Sequence, residues 1–323
     1  MIGLLDCLIV GAGISGLLAA RKLTESGLRV QVLEKSRGIG GRMATRRQEG
    51  EVFDHGAQFF TARDPVFQSL VKEWAEAGVA ALWFEGADEN RHPRFRGVPG
   101  MTAVGKHVAD GISVERSVRV VSAGRAGGEW TLRCDTGRTW RARSVLFSSP
   151  VPQSLQILEA GGAELAPTLA TGLAAIRYDP CLALMVALDE GNCRLEAPGW
   201  VRPVSGPISW VADNRLKGVS TSGRPALTIH AEPDFSRRHY RSDESVVVAH
   251  LLDAARDWME GPPVFSRMHR WRFSQVAQGH PDRFALDEDR RLAFCGDAFG
   301  EPRVEGAALS GLAAAGAVEG CLR

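Results

Sequence analysis

The segment LIVGAGISGLLAARKL, residues 8–23, constrains the fold more than any other stretch of the chain. A short apolar run at residues 7–10 leads into Gly11-x-Gly13-x-x-Gly16, and a helical pattern over residues 14–26 follows at once. Residues 28–36, LRVQVLEKS, place Val30, Val32 and Leu33 in a second strand. Strand, glycine turn, helix and strand in this order predict a β-α-β unit. Its glycines have separate duties. The first allows a tight turn, the second lets a pyrophosphate approach the backbone, and the third lets helix pack on strand. Glu34 ends the second strand, 18 residues after Gly16. A carboxylate there accepts hydrogen bonds from both hydroxyls of an adenosine ribose and repels a 2′-phosphate, so the pattern predicts a bound dinucleotide.

Further along, RDPVFQSLVKEWAEAG (63–78) predicts a helix with Asp64 as N-cap, Pro65 in the first turn and Phe67, Leu70, Val71 and Trp74 on one face. Residues 100–111 predict another. Three strand-like runs from 117 to 149, separated by Gly127-Gly128 and Thr136-Gly137, predict an antiparallel meander. Beyond Pro150 and Pro152, the runs CLALMVALD, ISWVADN and PALTIHAEP predict a second, antiparallel sheet, followed by a capped helix within residues 242–260. From about residue 290, RRLAFCGDAFG and EGAALSGLAAAGAVEGCL return to strand, turn and small-residue helix. The expected organisation is interleaved: residues 1–62, 98–152 and 283–323 form a nucleotide-binding domain, and 63–97 and 153–282 form a substrate domain.

The net charge of +1, from 39 basic and 38 acidic residues, gives no electrostatic case for nucleic acid or an anionic membrane as partner. No C-x-x-C occurs among the six cysteines, so neither a metal site nor a dithiol redox motif is indicated. Scattered cysteines in a chain of this size read as reduced thiols and a cytoplasmic setting. No apolar run reaches the ~18 residues of a membrane span, and the N-terminal apolar stretch, broken at once by glycines, reads as a buried strand and not a signal peptide.

After the second strand comes KSRGIGGRMATRR, with a second glycine pair and Arg42. This resembles the extended cofactor motif of the flavoprotein amine oxidase and glutathione reductase-like superfamily, and CGDAFG (295–300) and VEGAALSG (304–311) resemble its late Gly-Asp motif and the helix that follows. DHGAQFFT (54–61), ISWVADNRLKG, ALTIHAEP and HRWRFSQV together resemble the renalase family over essentially the whole chain. The resemblance implies an α/β fold: a Rossmann-type FAD-binding domain with an interleaved substrate domain built on an antiparallel sheet plus helices. It implies non-covalent FAD held by Gly11, Ala12, Gly13, Ile14, Ser15, Gly16, Glu34, Lys35, Gly41, Arg42, Met43, His55, Gly56, Ala57, Gln58, Phe59, Val118, Gly296, Asp297, Glu305, Gly306 and Ala307. It also implies oxidation of 2- or 6-dihydro isomers of NAD(P) to NAD(P)+, with O2 taking the electrons as hydrogen peroxide, and a substrate cavity containing Asn214, His230 and Trp271.

The residues themselves are compatible with that chemistry. Loss of hydride restores an aromatic pyridinium, so no substrate proton need be removed and no obligate acid or base is expected. Asn214 suits a carboxamide, Trp271 a planar wall and His230 a hydrogen bond. A turn role for Asn214 and core packing for His230 and Trp271 are equally open. A flavin amine oxidase is the alternative, and a non-catalytic flavin-binding protein a second. The lysine and the aromatic cage usual in amine oxidases are not visible: Arg303 and Val304 stand before the last EGA, and Lys217, the last of five lysines, reads as part of a surface turn. The 34 arginines read as a general preference of arginine over lysine.

Overall fold

The computed structural model describes residues 3–86 and 91–323. The β-α-β unit is β1 (Leu5–Val10), α1 (Ile14–Glu25) and β2 (Val30–Glu34). Two hairpins, β3 (Thr45–Gln48) with β4 (Glu51–Asp54) and β5 (Ala80–Glu85) with β6 (Pro93–Gly97), flank α2 (Pro65–Glu76). Next come α3 (Thr102–Val108), β7 (Val114–Arg116) and the expected meander of β8 (Val120–Ala126), β9 (Glu129–Cys134) and β10 (Thr139–Phe147). Two helices, α4 (Val151–Ala160) and α5 (Pro167–Ala174), precede the second sheet of β11 (Arg177–Ala187), β12 (Trp200–Val201), β13 (Ile208–Asp213) and β14 (Ala226–Ala231). Its flanking helices α6 (Pro233–His239) and α7 (Glu244–Ala254) lead to β15 (Phe265–Gln278). The chain ends with β16 (Ala285–Asp287), β17 (Leu292–Phe294) and α8 (Arg303–Leu322).

The first sheet runs β16-β17-β10-β1-β2-β7, with β8 and β9 continuing from β10. Its centre is parallel, β1 lying between β10 and β2. Both faces of β1 are covered, as a parallel strand requires. Cys7 and Ile9 face the core shared with α1, α3 and α8, whereas Leu8 and Val10 face the core under the meander, α4 and α5. The packing of two segments departs from the expected domain partition. Phe67, Val71 and Trp74 of α2 bury themselves in the α1–α8 core, and Val151, Leu158 and Leu173 of α4 and α5 in the meander core. Their apolar stripes have the first sheet's flanks to cover, so residues 65–76 and 153–176 pack with the nucleotide-binding unit.

The second sheet is antiparallel, in the order β12-β13-β14-β11-β15. Alternation divides its residues cleanly. Leu182, Leu184, Val186, Leu227, Ile229 and Met268 pack under α6 and α7 with Phe235, Val247 and Leu251. The other face carries Ala183, His230, Trp210 and His269 across four strands in register, and that face meets the β3–β4 hairpin. Among the described residues no helix is long and apolar enough to cross a membrane.

Helices α1 and α8 pack so closely that a Cβ on Gly311 would stand 2.1 Å from the Ser15 carbonyl oxygen. At Gly320, in the same helix, a Cβ would meet nothing within 4 Å. Gly311→Ala is therefore expected to lower the thermal midpoint by overpacking worth about 1–3 kcal/mol. Gly320→Ala is expected to raise it slightly, by roughly 0.5–1 kcal/mol. Thermal unfolding of the two variants, read side by side, checks the contrast.

Candidate active site

The glycine loop has the shape its spacing implies. Gly11 has φ +107°, and a Cβ there would stand 2.8 Å from Ser148 Oγ. At Gly16 a Cβ would lie 2.3 Å from the Gly11 carbonyl oxygen, whereas at Gly13 it would meet nothing within 4 Å. Gly13 is the N-cap of α1 and no side chain caps it, so the first N–H groups of the helix, from Ile14, Ser15 and Gly16, are left for a ligand. The second glycine pair closes on the first: Gly40 N donates to the Ala12 carbonyl at 2.8 Å, and a Cβ on Gly41 would be 3.2 Å from Gly13 Cα. Buried Glu34 accepts from Ala12 N at 2.8 Å and Ser36 N at 2.7 Å. A carboxylate has about four acceptor positions, so two remain for ribose hydroxyls. Val118 N donates to the Glu34 carbonyl, which sets Val118 beside this end. Lys35 turns away and donates to Gln153 Oε1 at 3.0 Å. Open space at Gly13, an uncapped helix and an acid at the strand end fit a dinucleotide.

The late Gly-Asp motif joins the same region. Asp297 takes both terminal nitrogens of Arg42, at 2.7 and 2.6 Å, and Arg42 also donates to the Ser274 carbonyl of β15 at 3.1 Å. A bidentate pair of this kind holds geometry as well as charge. Gly296 N donates to Ser310 Oγ of α8 at 2.9 Å. The Glu305 carboxylate accepts from Arg63 N and Asp64 N at 2.6 and 2.7 Å, so its side chain secures the approach to α2. No side chain caps the first turn of α8, so its backbone N–H groups are left for a ligand. Gly306 and Ala307 pack inward; a Cβ on Gly306 would be 1.6 Å from the Glu301 oxygen. Buried Met43 accepts at its carbonyl from Thr102 Oγ1.

The segment from Asp54 to Phe59 lies on the seam between the two units. The Asp54 carboxylate takes Thr45 Oγ1 at 2.6 Å, Met101 N at 2.9 Å and Lys217 Nζ at 2.8 Å. Lys217 is thus no part of a surface turn: its side chain and that of Asp54 are both 0% exposed, and its ammonium lies 4.9 Å from the centre of the Trp83 ring. Burial lowers the Lys217 pKa, and Asp54 works in the opposite direction. Asn214, expected against a carboxamide, has no amide group left for one. Its Oδ1 accepts from Asp54 N, and its Nδ2 donates to the Ala226 carbonyl and Thr228 Oγ1. It builds the turn that carries Lys217 to Asp54.

Beyond Asp54, a wall of rings forms. The His55 carbonyl accepts from Trp271 Nε1 at 2.9 Å and from His230 Nε2 at 3.2 Å. The His55 ring stacks on Trp271 and meets His269 edge-on, with centroids 5.3 and 5.0 Å apart. Burial pushes all three imidazoles down, His55 to about 3 and His230 and His269 to about 4, so the wall is uncharged at neutral pH. A carbonyl can only accept, so His230 Nε2 carries the proton and its Nδ1 is an acceptor. Gly56 is forced to be glycine, since a Cβ would lie 1.9 Å from the Arg42 carbonyl, and Ala57 N donates to that carbonyl. Gln58 Nε2 holds the Asp54 and Gly56 carbonyls. Two buried polar atoms of this segment, His55 Nδ1 and Gln58 Oε1, have no hydrogen-bond partner. Phe59 turns the other way, into a cluster of Trp83, Phe84, Trp200 and Trp210 that sequence reasoning missed, because it draws on four separated segments.

A model of NAD(P)-binding Rossmann-like domains matches residues 9–74, and one of flavin containing amine oxidoreductases matches residues 75–319. The chain belongs to the flavin containing amine oxidoreductase family. It is 42% identical over 65 residues to protoporphyrinogen oxidase 2, chloroplastic/mitochondrial, of Arabidopsis thaliana, a match of 20% of this chain and 13% of that protein. It is 34% identical over 101 residues to an L-amino acid dehydrogenase of Synechocystis sp., or 29% of this chain and 21% of that one. The matched segments therefore span about a fifth or less of these relatives' length. Among solved structures, a protein of Exiguobacterium sp. 255-15 provisionally described as a protoporphyrinogen oxidase superposes with a TM-score of 0.75 at 13% identity, covering 99% of both chains. Wild-type putrescine oxidase bound to putrescine superposes at 0.68 and 16%, over 98% of this chain and 99% of that one. At those identities the likeness is one of fold. The glycine loop, Glu34 and the Arg42–Asp297 pair are the parts of this family member suited to an FAD cofactor.

Two substitutions separate cofactor binding from the architecture of the seam. Glu34→Ala should weaken FAD affinity by about 1.5–3 kcal/mol through lost charge-assisted hydrogen bonds, without changing the reduction rate of the loaded fraction; flavin fluorescence titration and rapid-mixing spectroscopy read the two. Lys217→Met leaves the Asp54 carboxylate buried without its cation, and should cost about 3–5 kcal/mol in denaturant unfolding. Asp54→Asn in the same chain should recover part of that loss.

Proposed function

We propose that the protein is a renalase-like oxidase of off-pathway dihydronicotinamide dinucleotides. In this reading 2- and/or 6-dihydro-NAD(P) yields NAD(P)+, with one hydride going to non-covalent FAD and the electrons then going to O2, which with a proton becomes hydrogen peroxide. When bound, the flavin supplies hydride acceptance and its reoxidation by oxygen. The chain supplies position.

The observation that carries the proposal is the uncharged ring wall of His55, His230, His269 and Trp271 on the sheet face turned to the cofactor segment. Trp271 spends its N–H on the His55 carbonyl, which leaves its ring as a planar surface. His230 Nδ1 is the acceptor suited to a carboxamide N–H, the part that Asn214 does not play. The buried lysine is bound to Asp54. Oxidising a dihydropyridine needs no base, and this arrangement offers planar contacts and hydrogen bonds, with imidazoles that burial has made weak bases. Burial pushes the Cys295 thiol up to about 12, which leaves it a poor nucleophile and supports non-covalent flavin.

A flavin amine oxidase is the second reading, favoured by the family match and by the aromatic cluster around Phe59. The rings of that cluster cover one another, with Trp200 and Trp210 parallel within 4° at 4.8 Å, in place of two rings facing each other across a gap.

Anaerobic mixing of the holoenzyme with 2- and 6-dihydro-NAD(P), alongside a panel of primary amines, tests the choice. Rapid bleaching of the flavin by a dihydro isomer alone is expected; bleaching by an amine alone would overturn the proposal. The imidazoles titrate near pH 3–4, so the reduction rate should be flat from about pH 6 to 9, where a free-amine substrate would impose an acidic limb. His230→Ala should slow reduction or weaken binding by about ten- to a hundredfold.

A further inference from the structure

We propose that Arg46 and Arg267 form an anion seat that takes a phosphate group of the substrate at the outer end of the ring wall. The inference rests on the dihydronicotinamide reading and adds to it the part of the substrate that lies away from the reacting ring.

Strand alternation brings the two arginines together. In β15, Arg267, His269 and Trp271 pair with Met185, Ala183 and Cys181 of β11. They share one face, since the intervening Met268 lies in the core under α6 and α7. From the opposite side of the seam, Phe53 packs on Phe265 with ring centroids 6.5 Å apart, and Arg46 is the cross-strand partner of Phe53 in the β3–β4 hairpin. Arg46 is thereby delivered beside Arg267. Successive residues on one face of a strand are about 7 Å apart. Trp271, His269 and Arg267 therefore form a row about 14 Å long, with a planar wall at one end and guanidinium groups at the other. A nicotinamide nucleotide has the same order, ring, ribose, then phosphate.

The charges there are uncompensated. Arg42, Arg237, Arg270 and Arg290 each have an acidic partner. Among the described residues, Arg46, Arg267 and the nearby Arg37 have none, and their side chains make no hydrogen bond. Arg46 is partly buried, and burial followed by the charges of Arg267 and Arg37 holds its pKa below the ordinary arginine range. Arg267 and Arg37 are exposed and Arg46 is half-buried, so water screens the three like charges in the free protein and leaves them open to an anion, and guanidinium groups match phosphate oxygens in a bidentate way. Beside them the buried His55 Nδ1 has no partner. The same field repels an ammonium group, which sets such a site against amine substrates. One other phosphate lies within chemical reason, the pyrophosphate of FAD, because Arg37 belongs to the loop that follows Glu34.

The test compares holoenzymes of wild type, Arg46→Met, Arg267→Met and the double variant. Substrates are the dihydro forms of nicotinamide riboside, mononucleotide and dinucleotide, and inorganic pyrophosphate is the probe of the seat. Each single variant should raise KM for the two phosphate-bearing substrates by about ten- to a hundredfold, the loss of a charge-assisted contact, while kcat changes little. The preference of wild type for mononucleotide over riboside should collapse. Inorganic pyrophosphate should perturb the flavin spectrum of wild type and not that of the double variant. Lower FAD affinity with unchanged KM would assign the arginines to the cofactor and overturn the proposal. Equal kcat/KM for riboside and mononucleotide in wild type would overturn it while leaving the dihydronicotinamide reading intact. If no dihydropyridine is oxidised but pyrophosphate binding depends on both arginines, the seat stands and the substrate reading falls.

Discussion

The contact between Asp54 and Lys217 governs the relation of the two units. Two charges removed entirely from water cost several kcal/mol each unless geometry and further hydrogen bonds compensate. Here the carboxylate is filled by a hydroxyl, a backbone N–H and the ammonium, which come from the β3–β4 hairpin, the start of α3 and the turn after β13. Its own backbone is engaged by Asn214, Gln58 and Thr228. A buried network hydrogen-bonded at low dielectric is stiff, and one whose members come from both units fixes their registration. The next residue is His55, whose carbonyl holds Trp271 and His230, so the wall inherits its placement from the ion pair.

Charge is sorted along this seam. At its centre opposite charges are paired without water, and the imidazoles beside them are kept neutral by burial. Arginines without acidic partners stand at the margin, where solvent can screen them. The cofactor side follows the same rule: the Arg42 guanidinium is matched by Asp297, and Glu34 by backbone N–H groups of the glycine loop and of the residue after Lys35.

Local features were legible in the sequence. The β-α-β unit shows because its glycines, its apolar alternation and Glu34 lie within one short stretch, and each acts on near neighbours. Helix α2 shows its cap and stripe directly, with Asp64 Oδ1 taking Val66 N at 2.9 Å. Features that depend on distant partners were hidden. Nothing near Lys217 signals burial, since the carboxylate that allows it is 163 residues away. Asn214 has the residue type of a substrate contact, yet the backbone of Asp54 claims it from 160 residues away. Helices α4 and α5 follow a proline-marked change of texture that reads as a boundary, but their apolar faces return to the first sheet. The significance of Arg46 and Arg267 depends on which arginines lack acids, and composition cannot show that.

The tight crossing of α1 and α8 has a consequence for how the protein is made. Lys22 of α1 reaches the Leu312 carbonyl, 290 residues later in the chain. The glycine loop and its helix leave the ribosome well before the surface against which that helix packs, which follows some 290 residues later. During synthesis the apolar flank of α1 waits without its partner, and contacts of such long sequence separation form slowly. The nucleotide pocket therefore matures only once α8 has followed its signature, and a nascent chain interrupted before α8 carries the motif without the means to hold it in shape.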